Sequence, residues 1–306
     1  MRATPSLLSV GALTYDTIYA LDQLPWRPGK YLPTNVVQTA AGMASSAATG
    51  AARHGARVSL WATVGDDNVG DMLIRDMQQE GIDCSLVRKV SGGRSAIATI
   101  LIDEAGERLI VPYYDPMTHA PPNIIHVDLS GFDVVLVDTR WPDASSKALF
   151  AARRAGIPGI LDADVTSPEI LNKLLPLASH IVASLPAAEI LFGKCVTATA
   201  AVEQLADRYK VFCAVTDGSS GTVARAPDLP LTHIPAYPVK PVDTLAAGDI
   251  FHGVFAATLA ETCDPIEAIE IASAAAAIKC LRFGGRLGAP RRTETFEFIE
   301  EHRGVR

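Results

Sequence analysis

The sequence predicts an α/β protein in which a doubly wound, mostly parallel β-sheet carries helices on both faces and a small antiparallel sheet is attached. From Phe132 onward, apolar runs of strand length alternate with segments of helical periodicity, which indicates βαβ units. Near the N-terminus, an apolar run that ends at Gly11 predicts a first buried strand. Two further β-rich pieces do not fit the alternation and predict the small sheet.

Length and composition indicate one globular unit. The chain has 306 residues, of which 48% are hydrophobic, and its formal charge of −7 gives no general attraction to nucleic acid or anionic membranes. Five cysteines occur without metal-ligand spacing, which favours reduced thiols. No apolar run has membrane-spanning length, and the N-terminus lacks the plan of a signal peptide. We therefore expect one domain over residues 1–306, located in the cytoplasm, with no nucleic-acid or membrane partner.

The elements of the main sheet follow one another along the chain. The predicted strands are residues 7–10, 58–63, 133–138, 157–162, 180–184 and 211–216, and the clearest helices are residues 144–155 and 198–208. Ligand groups in such a sheet come from the carboxyl ends of the strands. This rule places five polar residues along one rim: Arg140, Asp162, Asp164, Ser184 and Thr216.

The small sheet is predicted from two separated segments, approximately residues 14–39 and 94–115. The first contains Pro25, Pro28 and Pro33 and is too broken for a helix. The second holds two β-rich runs, residues 95–103 and 108–114, joined by a loop that contains Gly106, which predicts a hairpin. A small sheet has exposed edges and one apolar face that needs covering.

Residues 243–253 contain the most informative pattern of the chain. Small residues from Ala246 to Gly248 precede a helix whose first amides lack intrahelical acceptors, and such a helix start attracts anions. Asp249 at this place is interpreted as a general base beside arriving negative charge, although an Asp that merely caps the helix is the alternative. Asp243 and Thr244 cap the helix, bind a cation or hold the loop; the sequence leaves these three roles open.

This pattern resembles the Asp-Thr-x-Gly-Ala-Gly-Asp signature of the ribokinase-like (PfkB) carbohydrate kinases. The resemblance implies that Asp249 deprotonates a sugar hydroxyl and that the amides of Ala246, Ala247 and Gly248 form the anion hole for the transferred phosphoryl group. Ala246 replaces a glycine of the signature, and its methyl group is tolerated there only if φ stays negative. The resemblance also implies the ribokinase-like fold, with the small sheet as a lid, and Gly284 and Gly285 closing the loop beneath the motif.

Other segments of the same family resemblance imply the binding residues. Asp16 would bind two sugar hydroxyls, with Gly42 and Ser46 nearby, although Ala41 and Ser46 replace a glycine and an asparagine of the family pattern. Thr216, Gly218 and Gly221 resemble the nucleotide loop, and Ser184 and Gly248 would also contact ATP. Ala275 lies in an alanine-rich helix that would contact adenine, although a packed core helix is an equally good interpretation. Mg²⁺ is implied, with Asp164 as a contact through water and Glu189 not favoured; a monovalent cation such as K⁺ is left open.

Several local strings resemble one branch of this family, the 6-deoxy-6-sulfofructose kinases, among them Gly29-Lys30-Tyr31 and Asp138-Thr139-Arg140-Trp141. Lys30 and Arg140 would then bind the sulfonate, although Pro112 stands where that branch has an asparagine. The alternatives are surface solvation for Lys30 and an ion pair with Asp138 or Asp143 for Arg140. The implied reaction is ATP-dependent phosphorylation of the sugar to its 1-phosphate, and a fructokinase or ribokinase acting on a neutral or phosphorylated sugar is the alternative.

Two further expectations concern the whole molecule. Because lids cover each other in the resembled family, we expect a homodimer through the small sheet. The altered Ala41, Ser46 and Ala246 leave open a non-catalytic sensor of sugars or nucleotides, against which the intact Asp249 argues. A dehydrogenase is disfavoured, because no Gly-x-Gly-x-x-Gly follows the first strand.

Overall fold

An eight-stranded sheet forms the centre of the molecule. The structure is a computed structural model that describes residues 4–122, 127–227 and 229–303. The strands of the central sheet are β1 (Ser6–Val10), β4 (Arg57–Trp61), β9 (Val134–Val137), β10 (Gly159–Ala163), β11 (His180–Ser184), β12 (Phe212–Thr216), β13 (Thr222–Arg225) and β14 (Thr232–Ile234). Their spatial order is β14-β13-β12-β11-β10-β9-β1-β4. The six strands from β4 to β12 in this order run parallel, while β13 and β14 extend the sheet antiparallel.

Helices cover both faces of this sheet, as the alternation along the chain predicts. They are α1 (Met43–Arg53), α2 (Asn68–Gln79), α3 (Pro142–Ala155), α4 (Pro168–Leu174), α5 (Leu185–Phe192), α6 (Ala198–Tyr209), α7 (Ala247–Thr262), α8 (Pro265–Cys280) and α9 (Arg292–Glu301). On one face α1, α7 and α8 contribute to a core with the side chains of Leu7 and Leu136; on the other, α3 and α6 pack around Val135 and Val137. All four residues of β9 are buried, which is why its sequence is a continuous apolar run.

The order of the strands reverses beside β1. The chain passes from β1 to its neighbour β4 on one side and later returns to place β9 on the other side. Such a reversal opens a crevice at the carboxyl ends of the strands, where open α/β sheets bind ligands. Gly11 follows β1 and Asp138 follows β9 at this point.

The predicted small sheet is present and has four strands, which we call the lid. They are β2 (Thr14–Ala20), β3 (Asn35–Ala41), β7 (Ala96–Ile102) and β8 (Arg108–Tyr113), and a separate pair is formed by β5 (Thr63–Gly65) and β6 (Arg88–Val90). The order in the lid is β3-β2-β7-β8. Its two outer pairings are antiparallel, but the central strands β2 and β7 run parallel, because the two segments that form the sheet arrive separately from the main domain. On its inner face, Ile18 and Ile100 pack with Leu245 and Phe283 of the main domain.

Among the helices that the structure describes, none combines the length and the apolar character needed to cross a bilayer.

Candidate active site

Helix α7 begins inside the signature, and its start has an unusual backbone. Ala246, the residue before the helix, has φ of 63° and ψ of 8°, which is the left-handed region. The condition stated from sequence, that the Ala246 methyl group is tolerated only at negative φ, is therefore wrong. The loop turns here through the conformation that a glycine adopts freely, and the Ala246 methyl group makes this conformation cost roughly 1–2 kcal/mol.

The first turn of α7 offers free amides on its open side. The Ala247 amide donates to the Thr244 carbonyl at 3.3 Å, so it already has an acceptor. The amides of Gly248 and Asp249 are the remaining ones of the first turn without an intrahelical acceptor. Gly248 is exposed, and nothing lies within 4 Å of the position that a Cβ atom would occupy there. The helix start can therefore receive an anion at Gly248.

Asp249 lies in this first turn, next to other carboxylates. Burial raises the pKa of Asp249 well above its usual value, and the nearby carboxylates of Asp162 and Asp164 raise it further, while His252 opposes them. A carboxylate with a raised pKa is a stronger base than a solvated one, which suits proton abstraction near neutral pH. His252, one turn later, contacts the Gly248 carbonyl at 2.7 Å and the Val182 carbonyl at 3.2 Å, and so fixes the first turn of α7 against β11.

Asp16 faces the same cleft from the lid. From sequence it was expected just beyond the first strand, and the structure places it within β2, where it is 7% exposed. The Thr14 hydroxyl donates to its carboxylate at 2.7 Å, yet burial raises the pKa of Asp16 to about 6. A carboxylate that is desolvated and only partly satisfied by hydrogen bonds can accept hydrogen bonds from sugar hydroxyls.

Tyr114, which was not identified from sequence, lies within electrostatic range of the lid and of the rim. Burial raises the pKa of its phenol to about 12, and the charges of Asp138, Asp16 and Asp249 all raise it, while the guanidinium of Arg140 lowers it. All four charges are therefore close enough to the phenol of Tyr114 to shift its pKa. The available signal was its position, directly after the last residue of lid strand β8.

Gly42 and Ser46, two predicted sugar contacts, differ in their placement. Gly42 has φ of 105°, and a Cβ atom there would lie 2.7 Å from the Ala12 carbonyl oxygen, so the close backbone approach explains the glycine. Ser46 lies inside α1 and is only 1% exposed, so its hydroxyl is not presented at the surface of the cleft. Asp138 instead organises this corner, because one of its oxygens accepts from the amides of Ala12 at 2.8 Å and Ala44 at 3.1 Å.

Arg140 lies on the rim and pairs with a residue that was not considered as its partner from sequence. Its Nη1 donates to the Val165 carbonyl at 2.9 Å, and its Nη2 lies 3.4 Å from an Asp164 carboxylate oxygen. The alternative considered from sequence, an ion pair of Arg140 with Asp138 or Asp143, is therefore wrong: Asp138 accepts from the backbone amide of Arg140, and Asp143 pairs with Lys173 at 2.5 Å.

Lys30 and Pro112 complete the set proposed for a sulfonate. Lys30 lies in the exposed loop between β2 and β3 and forms no hydrogen bond or ion pair with the described part of the chain. Strand register aligns Pro112 with Ala98 and Ala98 with Asp16, so Pro112 lies on the inner face in the same row as Asp16. A proline side chain there supplies no hydrogen bond.

The nucleotide loop has one open glycine and one packed glycine. Gly218 has φ of 48°, and no atom lies within 4 Å of the position that a Cβ atom would take, so its backbone is accessible. At Gly221 a Cβ atom would lie 2.2 Å from the Ile234 carbonyl oxygen, so this glycine is needed for the approach of β14. Thr216 ends β12 and is half-buried; its hydroxyl donates to the Ala183 carbonyl at 3.4 Å.

Ser184 and Asp164 are linked to each other at the same rim. The Ser184 hydroxyl donates to Asp164 at 3.0 Å and accepts from the Ala187 amide at 3.3 Å, which caps α5. Among the residues that the structure describes, no group of three or more His, Cys, Asp or Glu side chains is arranged to hold a metal ion. Asp164 retains a partly exposed carboxylate, which fits contact with a hydrated Mg²⁺ through water and not a direct cage.

Ala275 does not lie where an adenine ring could reach it. It is 0% exposed and belongs to the core that α8 forms with α7. The alternative interpretation, a packed core helix, describes this residue, and the expected contact between Ala275 and adenine is wrong for this conformation. Small side chains serve here to bring α8 close to its neighbours.

Two basic residues behind the signature were not assigned a role from sequence. Arg108, at the start of lid strand β8, donates to the Thr244 hydroxyl at 2.6 Å and so connects the lid to the loop before α7. Lys279, in the last turn of α8, is fully buried with its Nζ 3.0 Å from the Asp243 carboxylate. Asp243 also accepts from the amides of Gly284 and Gly285, at 3.0 and 2.9 Å. Of the three roles left open for Asp243, the structure shows that it holds the loop.

Fold and site together define a class of protein: an α/β protein in which a carboxylate lies in the first turn of a helix with free amides, beside a β-sheet lid. The family model described as pfkB family carbohydrate kinase matches residues 4–292. The chain therefore belongs to the PfkB family of carbohydrate kinases, and the prediction of an ATP-dependent carbohydrate kinase is confirmed at this level.

Individual relatives resemble the chain over nearly its whole length. A protein of Agrobacterium tumefaciens, provisionally named a ribokinase, has a crystal structure with 45% identity and a TM-score of 0.95, covering 98% of both chains. The ribokinase of Haemophilus influenzae is 29% identical over 310 residues, which covers 98% of this chain and 99% of the relative. The ATP-dependent ribose-1-phosphate kinase of Halopiger xanaduensis is 28% identical over 310 residues, covering 96% and 98%. The ribokinase-like fold expected from the signature is confirmed.

Proposed function

We propose that this kinase transfers the terminal phosphoryl group of ATP to a primary hydroxyl of a sugar bound between the lid and the carboxyl edge of the main sheet. The single observation that carries this proposal is the position of Asp249, in the first turn of α7 with the free Gly248 amide beside it and with Asp16 on the facing lid strand. Asp249 takes the hydroxyl proton, while the helix start stabilises negative charge on the transferred group. Positioning and electrostatics carry most of the catalysis of phosphoryl transfer.

The nucleotide is proposed to lie along the rim from Thr216 and the open Gly218 to the start of α7. Mg²⁺, bound with ATP, would neutralise phosphate charge, and Asp164 is the carboxylate that would hold its water ligands. A structural relative from E. coli, provisionally named ribokinase II, was solved with ATP and Mg²⁺, and Arabidopsis thaliana ribokinase was solved with ribose and ATP. Those ligands are consistent with the proposal for this chain.

The sugar is proposed to carry an anionic group, with 6-deoxy-6-sulfofructose, phosphorylated to its 1-phosphate, as the leading candidate. Arg140 supports this, because it follows β9 at the carboxyl edge of the sheet where the strand order reverses, and its charge lowers the pKa of the Tyr114 phenol. Lys30, exposed on the lid loop, is available as a second cation. Two observations count against an anionic sugar: Arg140 already pairs with Asp164, and Pro112 supplies no hydrogen bond in the row of Asp16. Neutral ribose or fructose and a phosphorylated pentose are the competing substrates, since relatives are named ribokinase and ribose-1-phosphate kinase.

Replacing the base tests the kinase proposal. We expect Asp249→Asn to lower kcat by about 10²–10⁴-fold, because proton transfer by a positioned group contributes a factor of this size. ADP release in a coupled assay measures the rate, and ATP binding measured by calorimetry should persist. Asp71→Asn is the matched control, because Asp71 also lies in the first turn of its helix but on the surface beside Lys89. Full turnover by Asp249→Asn would refute the role, and no ADP release by the wild type with any sugar would favour a sensor.

A substrate panel tests the anionic group. Ribose, fructose, tagatose, ribose 1-phosphate and 6-deoxy-6-sulfofructose are compared for the wild type, Lys30→Ala and Arg140→Ala. Loss of a charge-assisted contact should raise KM for the anionic substrate about 10–100-fold and leave neutral sugars nearly unchanged. Lys173→Ala, which removes a surface cation paired with Asp143, is the control. Equal losses for all sugars would refute the role of Lys30 and Arg140 in recognising an anion.

A homodimer through the lid is proposed as the form in solution. All six residues of edge strand β8 are exposed, and the register places Leu109, Val111 and Tyr113 in line with Leu101, Thr99 and Ile97 on the outer face. Exposed fractions of 59% at Val111 and 42% at Ile97 leave an apolar surface that monomers rarely present. A second copy of the lid covers this surface with a complementary apolar face and satisfies symmetry.

A further inference from the structure

The loop that delivers the anion-binding amides is anchored by a buried ammonium group. Lys279 Nζ lies 2.6 Å from the Asp243 carbonyl oxygen, 3.0 Å from an Asp243 carboxylate oxygen and 3.3 Å from the Arg282 carbonyl oxygen. Both Lys279 and Asp243 are 0% exposed. A lysine ammonium has three N–H donors, and here each of the three has an oxygen partner.

This arrangement resembles the coordination of a monovalent cation. Such ions are bound in proteins by backbone carbonyl and carboxylate oxygens that replace water, and the ammonium of Lys279 faces two carbonyls and one carboxylate. The remaining acceptor positions of Asp243 are occupied as well, since Leu245, Gly284 and Gly285 donate their amides to the carboxylate. The oxygens that a free cation would need at this loop are therefore already bound to the side chain of Lys279.

The loop that Lys279 anchors contains Ala246, whose backbone is strained. Ala246 holds a left-handed conformation with a methyl group, and such strained residues persist where the surrounding contacts determine them. Asp243 is tied to α8 through Lys279, and the amides of Val242 and Asp243 donate to the Cys280 carbonyl at 2.8 and 3.2 Å. The position of the Gly248 amide therefore depends on the contacts around Lys279.

We propose that Lys279 is a positioning residue whose ammonium acts as a tethered monovalent cation, so that the kinase works without added K⁺ or Na⁺. The proposal rests on the proposed kinase activity but adds a property of its own. The monovalent cation that the sequence left open does not fit at Asp243, because the donor set is complete without it. Burial lowers the pKa of Lys279, while the Asp243 carboxylate opposes this effect.

The wild-type protein gives the first test. ADP release is measured with tetramethylammonium as the only monovalent cation and then with KCl or NaCl at equal ionic strength. We expect kcat to change by less than about twofold and Tm to stay unchanged, because an ion that has no site shifts no equilibrium. A rise of about tenfold in kcat on adding K⁺ or Na⁺ would overturn the proposal. If no sugar releases ADP, the Tm comparison still decides the question, separately from the kinase activity.

Two substitutions at Lys279 give the second test. Lys279→Ala removes the ammonium and leaves space for a small ion, whereas Lys279→Met removes the charge and fills the space. We expect both to lower kcat by about 10²-fold, since a displacement of this loop by about 1 Å costs that much. NH₄⁺ or K⁺ should raise the kcat and Tm of Lys279→Ala only. Lys173→Ala is the control with an unchanged rate and no response to cations.

The outcomes are distinct. Loss of rate in both variants, without rescue of Lys279→Ala by any small cation, would overturn the assignment and leave Lys279 as a simple packing residue. Wild-type kcat in Lys279→Ala would overturn it too. Should either variant fail to fold, the wild-type cation series decides by itself.

Discussion

At the scale of single residues, Ala246 combines an unfavourable conformation with a central position. It precedes α7 with φ of 63°, in the loop that begins at the buried Asp243. The sequence identified the position as the one departure from the family signature. It did not predict that the backbone of Ala246 would adopt the left-handed conformation typical of a glycine, which is strained for an alanine.

Ala246→Gly should stabilise the protein. A glycine relieves the left-handed strain, but it also adds conformational entropy to the unfolded chain. We expect the net effect to raise the free energy of unfolding by about 0.5–1 kcal/mol. Urea unfolding measures it, and kcat should be retained. Ala247→Gly is the control and should lose up to about 1 kcal/mol, because Ala247 is the first residue of the helix and has no left-handed strain to relieve. A loss of stability in Ala246→Gly would show that the methyl group makes contacts that outweigh the strain.

Asp16 is a residue whose binding role opposes stability. Its pKa is about 6 in the folded protein against an ordinary value of 3.8, so the folded state binds the proton more tightly. Protonated Asp16 therefore stabilises the folded protein below about pH 4, and this stabilisation is lost as pH rises through about 6. The difference of about two pKa units between the folded and unfolded states corresponds to roughly 3 kcal/mol in the free energy of unfolding.

Asp16→Asn should therefore raise the free energy of unfolding at about pH 7.5 by roughly 1–3 kcal/mol and weaken sugar binding. The gain should shrink toward about pH 4, where the wild-type carboxyl is protonated in the folded state and already partly protonated in the unfolded state. Denaturant unfolding at the two pH values, with sugar binding by calorimetry, checks both parts. An equal gain at both pH values would contradict the explanation by desolvation of the carboxylate.

At the scale of elements, the lid directly contacts the loop before α7. Its inner face packs on Leu245, and Arg108 at the start of β8 donates to Thr244. The hairpin was predictable from two β-rich runs and a glycine-bearing loop. The parallel pairing of β2 with β7 and the reach of Arg108 were not, because both depend on how two distant segments meet in space.

Arg108→Met should uncouple the lid from this loop. Because the contact is exposed, we expect a modest loss of about 5–10-fold in kcat/KM for the sugar, with little change in stability. Steady-state kinetics and thermal unfolding measure the two effects. Lys89→Met, which removes an exposed cation paired with Asp71, is the control. An unchanged kcat/KM would show that this contact contributes nothing to the closed lid.

Local backbone features of the site were predictable from sequence, and the burial of its side chains was not. Gly42 and Gly218 have positive φ and Asp249 lies in the first turn of α7, because motif glycines and helix starts are local features; the roles of these residues stay predictions. Ser46 and Ala275 proved buried, since exposure depends on the packing of whole helices and leaves no mark in the local sequence. The partner of Arg140 was missed because Asp164 lies at the end of the neighbouring strand, 24 residues further along the chain.

At the scale of the whole molecule, the open question is what covers the outer face of the lid. Val111→Lys should convert the proposed dimer into a monomer at micromolar concentration, because a buried, unpaired charge at an interface is costly. Light scattering after size-exclusion chromatography reports the mass. Met72→Lys, a similar change on exposed helix α2, is the control and should leave the mass unchanged. A monomeric wild type, or a dimeric Val111→Lys, would contradict the lid-to-lid interface.

Helices α1 and α7 cross without room for a side chain between them. A Cβ atom on Gly253 would lie 1.9 Å from the Ala47 carbonyl oxygen, and one on Gly50 would lie 3.1 Å from the Ile250 carbonyl oxygen. The first of these helices begins directly after Gly42, a proposed sugar contact, and the second begins at the proposed phosphoryl-binding turn. In the proposed mechanism, main-chain contact deep in the interior thus sets the separation between acceptor and donor substrates. Changes in the lid and the rim could then exchange the sugar while the reacting distance stays constant.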